Sequence, residues 1–369
     1  MGLFDTFKEV SHQDWLDKIT LDLKGKDFND TLVWKSSEGV DVQPFYNQTI
    51  QSSTPIKTNN DWKIRETIVI TDVVKANTNA LLALSGGANS ILFIGEIKDQ
   101  LDMDSLLNNI QTDIIEVHFY NSNPKKTSDL ISLNNGSISY DSLTDLNIDA
   151  LFELTNSTAN IKTITVKNDT DSSITEELAY NLSKGVEYIN LLTDKGIKAD
   201  KVAKKIQFTF RIGTNYFFEI AKLRAARKLW KIILNEYGIE NISMTIHSET
   251  SKEIGSTEDL NYDILRNTTK AMSAIIGGCD SLTINPHDNS EQKVDFSNRI
   301  SRNIHHILKE ESFFSKVKNP ADGAYYIEEL TEQFATKSWK MFQEIETNGG
   351  YLNCIDSGFL KKNNTTSFA

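Results

Sequence analysis

At 369 residues, the chain is long enough for roughly two ordinary domains or one large α/β barrel with extensions. Its 39 Lys+Arg against 51 Asp+Glu leave a net charge of −12, which argues against duplex nucleic acid and against an anionic membrane surface. No apolar run approaches the ~18–20 residues that cross a bilayer and the N-terminus lacks a basic-then-apolar leader, so a cytoplasmic location is expected.

In chain order, residues 1–61 read as an arm. The opening Met1-Gly2-Leu3-Phe4-Asp5-Thr6 fits a myristoylation pattern but is read as an ordinary N-terminus. Ser11 can cap a helix beginning near His12, with Trp15, Leu16 and Ile19 at helical spacing, and Lys24-Gly25-Lys26-Asp27 breaks it. Leu32-Val33-Trp34 and Val40-Asp41-Val42 then flank a turn at Ser36–Gly39, followed by the polar stretch Ser52-Ser53-Thr54-Pro55. With aromatics and little core of its own, this arm is expected to pack on something else.

From Trp62 onward, β-type runs alternate with helical stretches. Strands are predicted at 63–70, 90–94, 114–119, 137–140, 162–166, 205–212, 241–246 and 280–285, with helices at 73–84, 101–110, 173–193, 215–237, 260–276 and 298–309. This repeat fits a (β/α)8 TIM barrel over 62–310, with a doubly wound sheet as the alternative and a C-terminal helical segment and tail at 311–369. In the later strands Thr163 and Thr165, then Gln207, Thr209 and Arg211, then Ser243, Thr245 and His247, then Ser281, Thr283 and Asn285 alternate with aliphatic or aromatic residues. Period two puts each polar set on one face. That face either lines a barrel axis, hydrated or wrapped around a polar ligand, or meets solvent on an open sheet.

Local chemistry is sparse. None of His12, His118, His247, His287, His305 and His306 stands at metal-ligand spacing, and Cys279 and Cys354 read as reduced thiols, so no metal is expected. His247 and His287 fall near the C-terminal ends of their strands, where barrel enzymes keep catalytic groups, although solvated loop histidines are commoner. Nucleotide-loop and Gly-x-Ser-x-Gly motifs are missing, and Gly86-Gly87 and Gly277-Gly278 read as helix C-caps. Lys222, Arg224, Arg227, Lys228 and Lys231 make one helix basic, which suits a local anion site, an acidic partner or, most commonly, a solvated face.

That helix carries a resemblance. Phe217-Phe218-Glu219-Ile220-Ala221-Lys222-Leu223-Arg224-Ala225-Ala226-Arg227 with Leu229-Trp230 resembles the signature of methylmalonyl-CoA mutases. In matching order follow Asn261–Thr268, Gly277–Ser281, Arg302-Asn303, Leu308–Ser312, Asn319–Glu328 and Glu344-Ile345-Glu346 with Gly349-Gly350. The N-terminal Trp15-Leu16, Leu23–Phe28 and Leu32-Val33-Trp34 resemble the family's small (beta) subunit. The resemblance implies a TIM barrel threaded by the pantetheine arm of coenzyme A and lined by Ser and Thr, which favours the barrel over the open sheet. It also implies a separate cobalamin domain and rearrangement of the carbon skeleton by a 5′-deoxyadenosyl radical.

The departures set the expected role. Thr67 stands where catalytic subunits carry a tyrosine over the substrate, and Val166-Lys167-Asn168-Asp169 stands where they carry Gly-Tyr-His-Ile. Gly136–Asp141 lacks the family's glutamine, and Asp-x-His-x-x-Gly, the cobalamin pattern, does not occur. The expectation is a non-catalytic small subunit that binds no cofactor itself, partnered by a large catalytic subunit that holds adenosylcobalamin. An acyl-CoA-binding regulatory barrel and the barrel half of a split, active mutase are the alternatives. The tail Lys361-Lys362-Asn363-Asn364-Thr365-Thr366 has linker composition, so continuation into a degenerate cobalamin-like domain is left open.

Overall fold

The computed structural model describes residues 10–46, 61–140, 143, 147–168, 172–251, 260–288, 290 and 294–360. The myristoylation pattern, the Ser52–Pro55 stretch, Asp141, Asp169 and the Lys361–Thr366 tail lie outside them.

The arm opens with α1 (His12–Asp22), where Ser11 and Asp14 form a reciprocal capping box. A turn at Lys24 and Gly25 leads to α2 (Phe28–Leu32) and then to a hairpin of β1 (Trp34–Lys35) and β2 (Asp41–Val42). No residue of α1 or α2 is fully buried, so the arm's apolar stripe covers little core. The hairpin is attached more firmly. Trp34 stacks on Phe218, and Glu38 accepts the backbone N–H of Ile174 at 2.7 Å.

The barrel then runs through β3 (Lys63–Val69), α3 (Val73–Ser85), β4 (Ser90–Ile94), α4 (Gln100–Leu106), β5 (Glu116–Tyr120), α5 (Pro124–Leu130), β6 (Gly136–Ser139) and α6 (Ile148–Ser157). It continues with β7 (Ile164–Lys167), α7 (Ile174–Asp194), α8 (Ala199–Lys205), β8 (Ile206–Ile212), α9 (Tyr216–Glu236), β9 (Ile246–Thr250), α10 (Leu260–Ile276), β10 (Ser281–Thr283) and α11 (Val294–His306). A π-helical turn at Ile307–Glu311 and a short 3-10 turn lead to α12 (Tyr325–Thr347) and α13 (Gly350–Asp356), which pack outside the barrel on α7 and α9. No helix among the described residues is long and apolar enough to cross a membrane.

The strands form one eight-stranded parallel sheet in the order β6-β5-β4-β3-β10-β9-β8-β7. It curls almost shut into a TIM barrel. At the closing seam β6 and β7 share a bridge between Ser137 and Lys162 at the N-terminal end, and the Ser139 and Thr165 hydroxyls meet at 2.7 Å further up. The apolar interior is divided in the same sense. Ile64, Ile68, Ile91, Phe93, Val117, Phe119 and Ile138 of the first four strands pack under α3 and α4 in one cluster. A separate, larger cluster gathers Ile164, Val166, Phe208, Phe210, Ile246 and Leu282 under α7, α9, α10 and α12.

Four helices, α2, α5, α6 and α8, escape the periodicity reading because each is short and follows polar sequence. The seventh barrel strand lies four to five residues later than the predicted 241–246. Its ladder register begins where Ile246 meets Phe208 near the start of β8, and ahead of it the Thr245 carbonyl accepts from the Phe208 N–H at 2.9 Å, so Thr245 is the last residue before the strand to touch the sheet. Helix starts follow the expected chemistry. Ser173 caps α7, its N–H donating to Glu176 at 2.8 Å and its hydroxyl accepting from the Glu176 N–H. Ser173→Ala is therefore expected to lower unfolding free energy by about 1 kcal/mol in urea titration, an effect too small to perturb the barrel.

Candidate functional site

The period-two pattern of the strands sends one polar set inward along the whole axis. Arg65 of β3 occupies its centre and is 4% exposed. Its Nε donates to Ser90 Oγ on β4 at 3.0 Å and its Nη1 crosses the barrel to Gln207 Oε1 on β8 at 3.2 Å. Its Nη2 stands 2.8 Å from His118 Nε2 and 3.6 Å from Glu116.

A guanidinium has no acceptor, so His118 Nε2 must accept and Nδ1 must carry the proton it donates to Ser137 Oγ at 2.8 Å. His118 is therefore neutral. Burial and then the Arg65 charge push its pKa down to about 3. On the other side, His247 of β9 lies 2.8 Å from Ser281 Oγ, and burial followed by Arg65 brings it down to about 4. Burial lowers Arg65 itself to about 10, so it stays charged at neutral pH. Burial opposes the ionisation of Glu116, but the Arg65 charge 3.6 Å away and Lys63 outweigh it and hold the carboxyl below its ordinary range. Glu249 is likewise held well below the usual carboxylate range, against burial, chiefly by Lys167 at 3.2 Å.

The small hydroxyls of the lining are spent on one another and on this network. Thr283 donates to the Arg65 carbonyl at 3.0 Å, and Ser139 and Thr165 meet across the seam. What remains free among Arg65, Ser137, Thr165, Thr209, His247 and Glu249 is a cavity of about 40 Å³. That holds roughly three water molecules at ~10–15 Å³ each, against the ~300–1,000 Å³ of ordinary ligand pockets. Every ionisable side chain in this network has an internal partner, and neither histidine titrates near pH 7.

Of the barrel-lining candidates, Thr165, Gln207, Thr209 and His247 line this cavity, and Ser281 and Thr283 adjoin it through His247. The others go elsewhere. Thr163 precedes β7 and bonds Thr155 of α6 at 2.9 Å, on the helix side. Ser243 is exposed and Thr245 half-buried, both ahead of β9, and Arg211 is exposed at the top of β8. Asn285 lies beyond β10 and bonds the Thr250 backbone. Thr67 is half-buried beside a second cavity of about 40 Å³ between β3, β10 and α11. Val166 is in the apolar layer, Lys167 pairs with Glu249, and Asn168 donates to Ser172 at 2.7 Å. Reading only the later strands misses Arg65, Ser90, Glu116, His118, Ser137 and Ser139. The same alternation runs through β3, β5 and β6 and points to their members, whereas β4 turns the apolar Leu92 and Ile94 inward above Ser90.

Of the cations on α9 only Lys231 is exposed in the way a solvated face requires; the other four are paired within the fold. Lys222 is 2% exposed between Glu177 at 2.9 Å and Glu219 at 2.6 Å, and these carboxylates outweigh burial to raise its pKa. Arg224 pairs with Glu328 on α12, and Arg227 with Asp280 at 2.9 Å and with the Gly278 carbonyl. These cations pin α9 to its neighbours.

Comparison with known proteins adds to this geometry. The family model described as methylmalonyl-CoA mutase matches residues 128–368. The chain is 35% identical to the methylmalonyl-CoA mutase small subunit of Porphyromonas gingivalis, over 98% of this chain and 66% of that protein. It is 38% identical to the methylmalonyl-CoA mutase of Rhizobium meliloti, over 52% of this chain and 27% of that one. Against the large subunit from Propionibacterium freudenreichii subsp. shermanii it is 38% identical, over 50% and 26%. The chain thus spans just under two thirds of the first relative and about a quarter of the other two. Among solved structures, dihydropteroate synthase from Xanthomonas albilineans aligns at 13% identity and TM-score 0.42, over 68% of this chain and 93% of that one, a likeness too loose to bear on function.

Proposed function

Because the chain belongs to the methylmalonyl-CoA mutase family, we propose that it is the non-catalytic small subunit of a heterodimeric, adenosylcobalamin-dependent mutase that interconverts methylmalonyl-CoA and succinyl-CoA. The observation that carries this reading is the Arg65 network across the axis. A pantetheine arm would have to displace a charged side chain bonded to Ser90 and Gln207 and set beside His118, and each of those would lose its partner. Thr67 and the Val166-Lys167-Asn168 stretch offer no tyrosine or histidine to position and polarise a thioester. We place the cofactor on the large subunit. The buried histidines of this chain are committed internally, His118 to Ser137, His247 to Ser281 and His305 to the Trp62 indole, so none fits a corrinoid as an axial ligand.

The arm supports a partner-contacting role for residues 1–61. α1 buries none of its residues, and the ring contacts of Trp15 are with His12, Phe28 and Phe45, all within the arm. Removal of residues 1–61 is expected to abolish co-purification with the large subunit, and retained assembly would count against that role.

The axis reading is tested directly. The purified chain, given methylmalonyl-CoA and adenosylcobalamin, is expected to form no succinyl-CoA, and calorimetric titration with CoA esters is expected to give no saturable heat. Turnover by the chain alone would overturn the non-catalytic assignment, and saturable heat without turnover would favour the acyl-CoA-binding regulatory barrel. Turnover only after adding a free cobalamin domain would favour the split active mutase.

A further inference from the structure

The Glu344-Ile345-Glu346 and Gly349-Gly350 motif is not explained by the barrel or its axis. It forms the junction where α12 turns into α13. Glu346 lies in the last turn of α12, a turn with no basic residue to offset the negative end of the helix. Its Oε1 is buried and has no hydrogen-bond partner.

At the same junction, Glu187 of α7 accepts the backbone N–H of Tyr351 at 3.1 Å and so caps the start of α13. Gly349 and Gly350, at φ +93° and +89°, make the turn that brings α13 onto this carboxylate, and a Cβ on Gly350 would stand 2.9 Å from Glu187 Oε2. Docked there, α13 buries Tyr351, Cys354 and Ile355 and holds Leu360 beneath it. Lys184 ties the same contact to the barrel, its Nζ lying 5.5 Å from the Tyr351 ring centre and donating to the Lys167 carbonyl at the end of β7.

Two half-buried carboxyl groups thus sit at one junction, close enough for the Glu187 charge to act on Glu346. Burial raises the pKa of Glu187 as well, but the Leu352 and Tyr351 N–H groups oppose that rise, whereas Glu346 lies at the negative end of α12 and its buried Oε1 has no donor. The other groups facing Glu346 are Ser183 from α7, Tyr237 from the end of α9 and Cys354 from α13. None is a cation. The Ser183 hydroxyl tempers the effect without a well-formed hydrogen bond. We propose that the α12–α13 junction is a proton-operated latch, in which α13 stays docked while Glu346 carries a proton and loosens when that carboxyl ionises near Glu187.

Burial first, and the Glu187 charge second, push Glu346 up to about 7 from an ordinary 4.5. The docked state therefore binds the proton more tightly than the undocked state. Docking is strongest in acid, weakens as pH rises from about 4.5 to about 7 and is flat above.

Hydrogen–deuterium exchange on the full chain, corrected for the intrinsic pH dependence of exchange, tests this. Protection of residues 350–360 is expected to fall roughly tenfold between pH 5 and 7.5, a figure reduced for the partial exposure of Glu346. Glu346→Gln, nearly isosteric, is expected to flatten that dependence, and Glu187→Gln to shrink its span by removing the facing charge. An identical fall in wild type and Glu346→Gln, or a pH-independent wild type, would overturn the latch.

Discussion

Arg65→Ala is expected to lower the unfolding free energy by about 3–5 kcal/mol, measured by urea titration at pH 7. The loss comes from removing one member of a buried charged set. Glu116 would keep its ionised carboxyl without the guanidinium, and Gln207 Oε1, Ser90 Oγ and His118 Nε2 would each lose a hydrogen-bond partner. Arg65→Met is expected to lose less, because it refills the space and imports no unpaired charge. A loss under about 1 kcal/mol for the alanine variant would mean that water already satisfies these groups, and the closed axis would be wrong. The neutral histidines add a pH signature. The unfolded chain takes up protons near the ordinary 6.5, while folded His118 and His247 do so only near 3 and 4. Stability is therefore expected to fall as pH drops below about 6.5 and to be fully present above it.

The second large effect is expected at Gly136, the first residue of β6. Its φ is +119°, and a Cβ built there would stand 1.8 Å from the Val117 carbonyl oxygen of β5. Nothing at that spot is a flexible side chain that could move aside. Gly136→Ala must shift the β5–β6 ladder itself, and a loss above about 3 kcal/mol is expected, read by denaturation or by soluble yield. Because the Gly136 carbonyl also accepts from Lys162 at 2.9 Å, the same substitution is expected to disturb the barrel closure. An alanine variant as stable as wild type would show that this strand can relocate without penalty.

The barrel was largely readable from residues because most strands carry a period-two set whose apolar half matches a helix of period 3.6. Phe208 and Phe210 against Gln207 and Thr209 illustrate it. Strand ends were not readable, since they depend on where a neighbour begins: Ser243 shares parity with His247, yet it is exposed and precedes the ladder. The axis was half readable. Composition shows that Thr165, Thr209 and Ser281 are small, but only three-dimensional placement shows that Arg65, 142 residues before Gln207, reaches across to it. The basic run of α9 misled for the same reason, because Glu177, Glu328 and Asp280, which neutralise it, are distant in sequence.

The division of the apolar interior bears on how the protein comes apart. The leaf formed by β3 to β6 and the leaf formed by β7 to β10 each have their own cluster, and they join through the β3–β10 ladder on one side and the short β6–β7 seam on the other. Arg65 belongs to the first leaf and Gln207 to the second, so the hydrogen bond between them spans the division. A division of this kind makes the short seam, where few groups pair, the place where local opening is expected first, and hydrogen exchange at residues 136–139 and 162–165 would read it. The polar bonds across the axis therefore also join two parts of the barrel whose apolar clusters are separate.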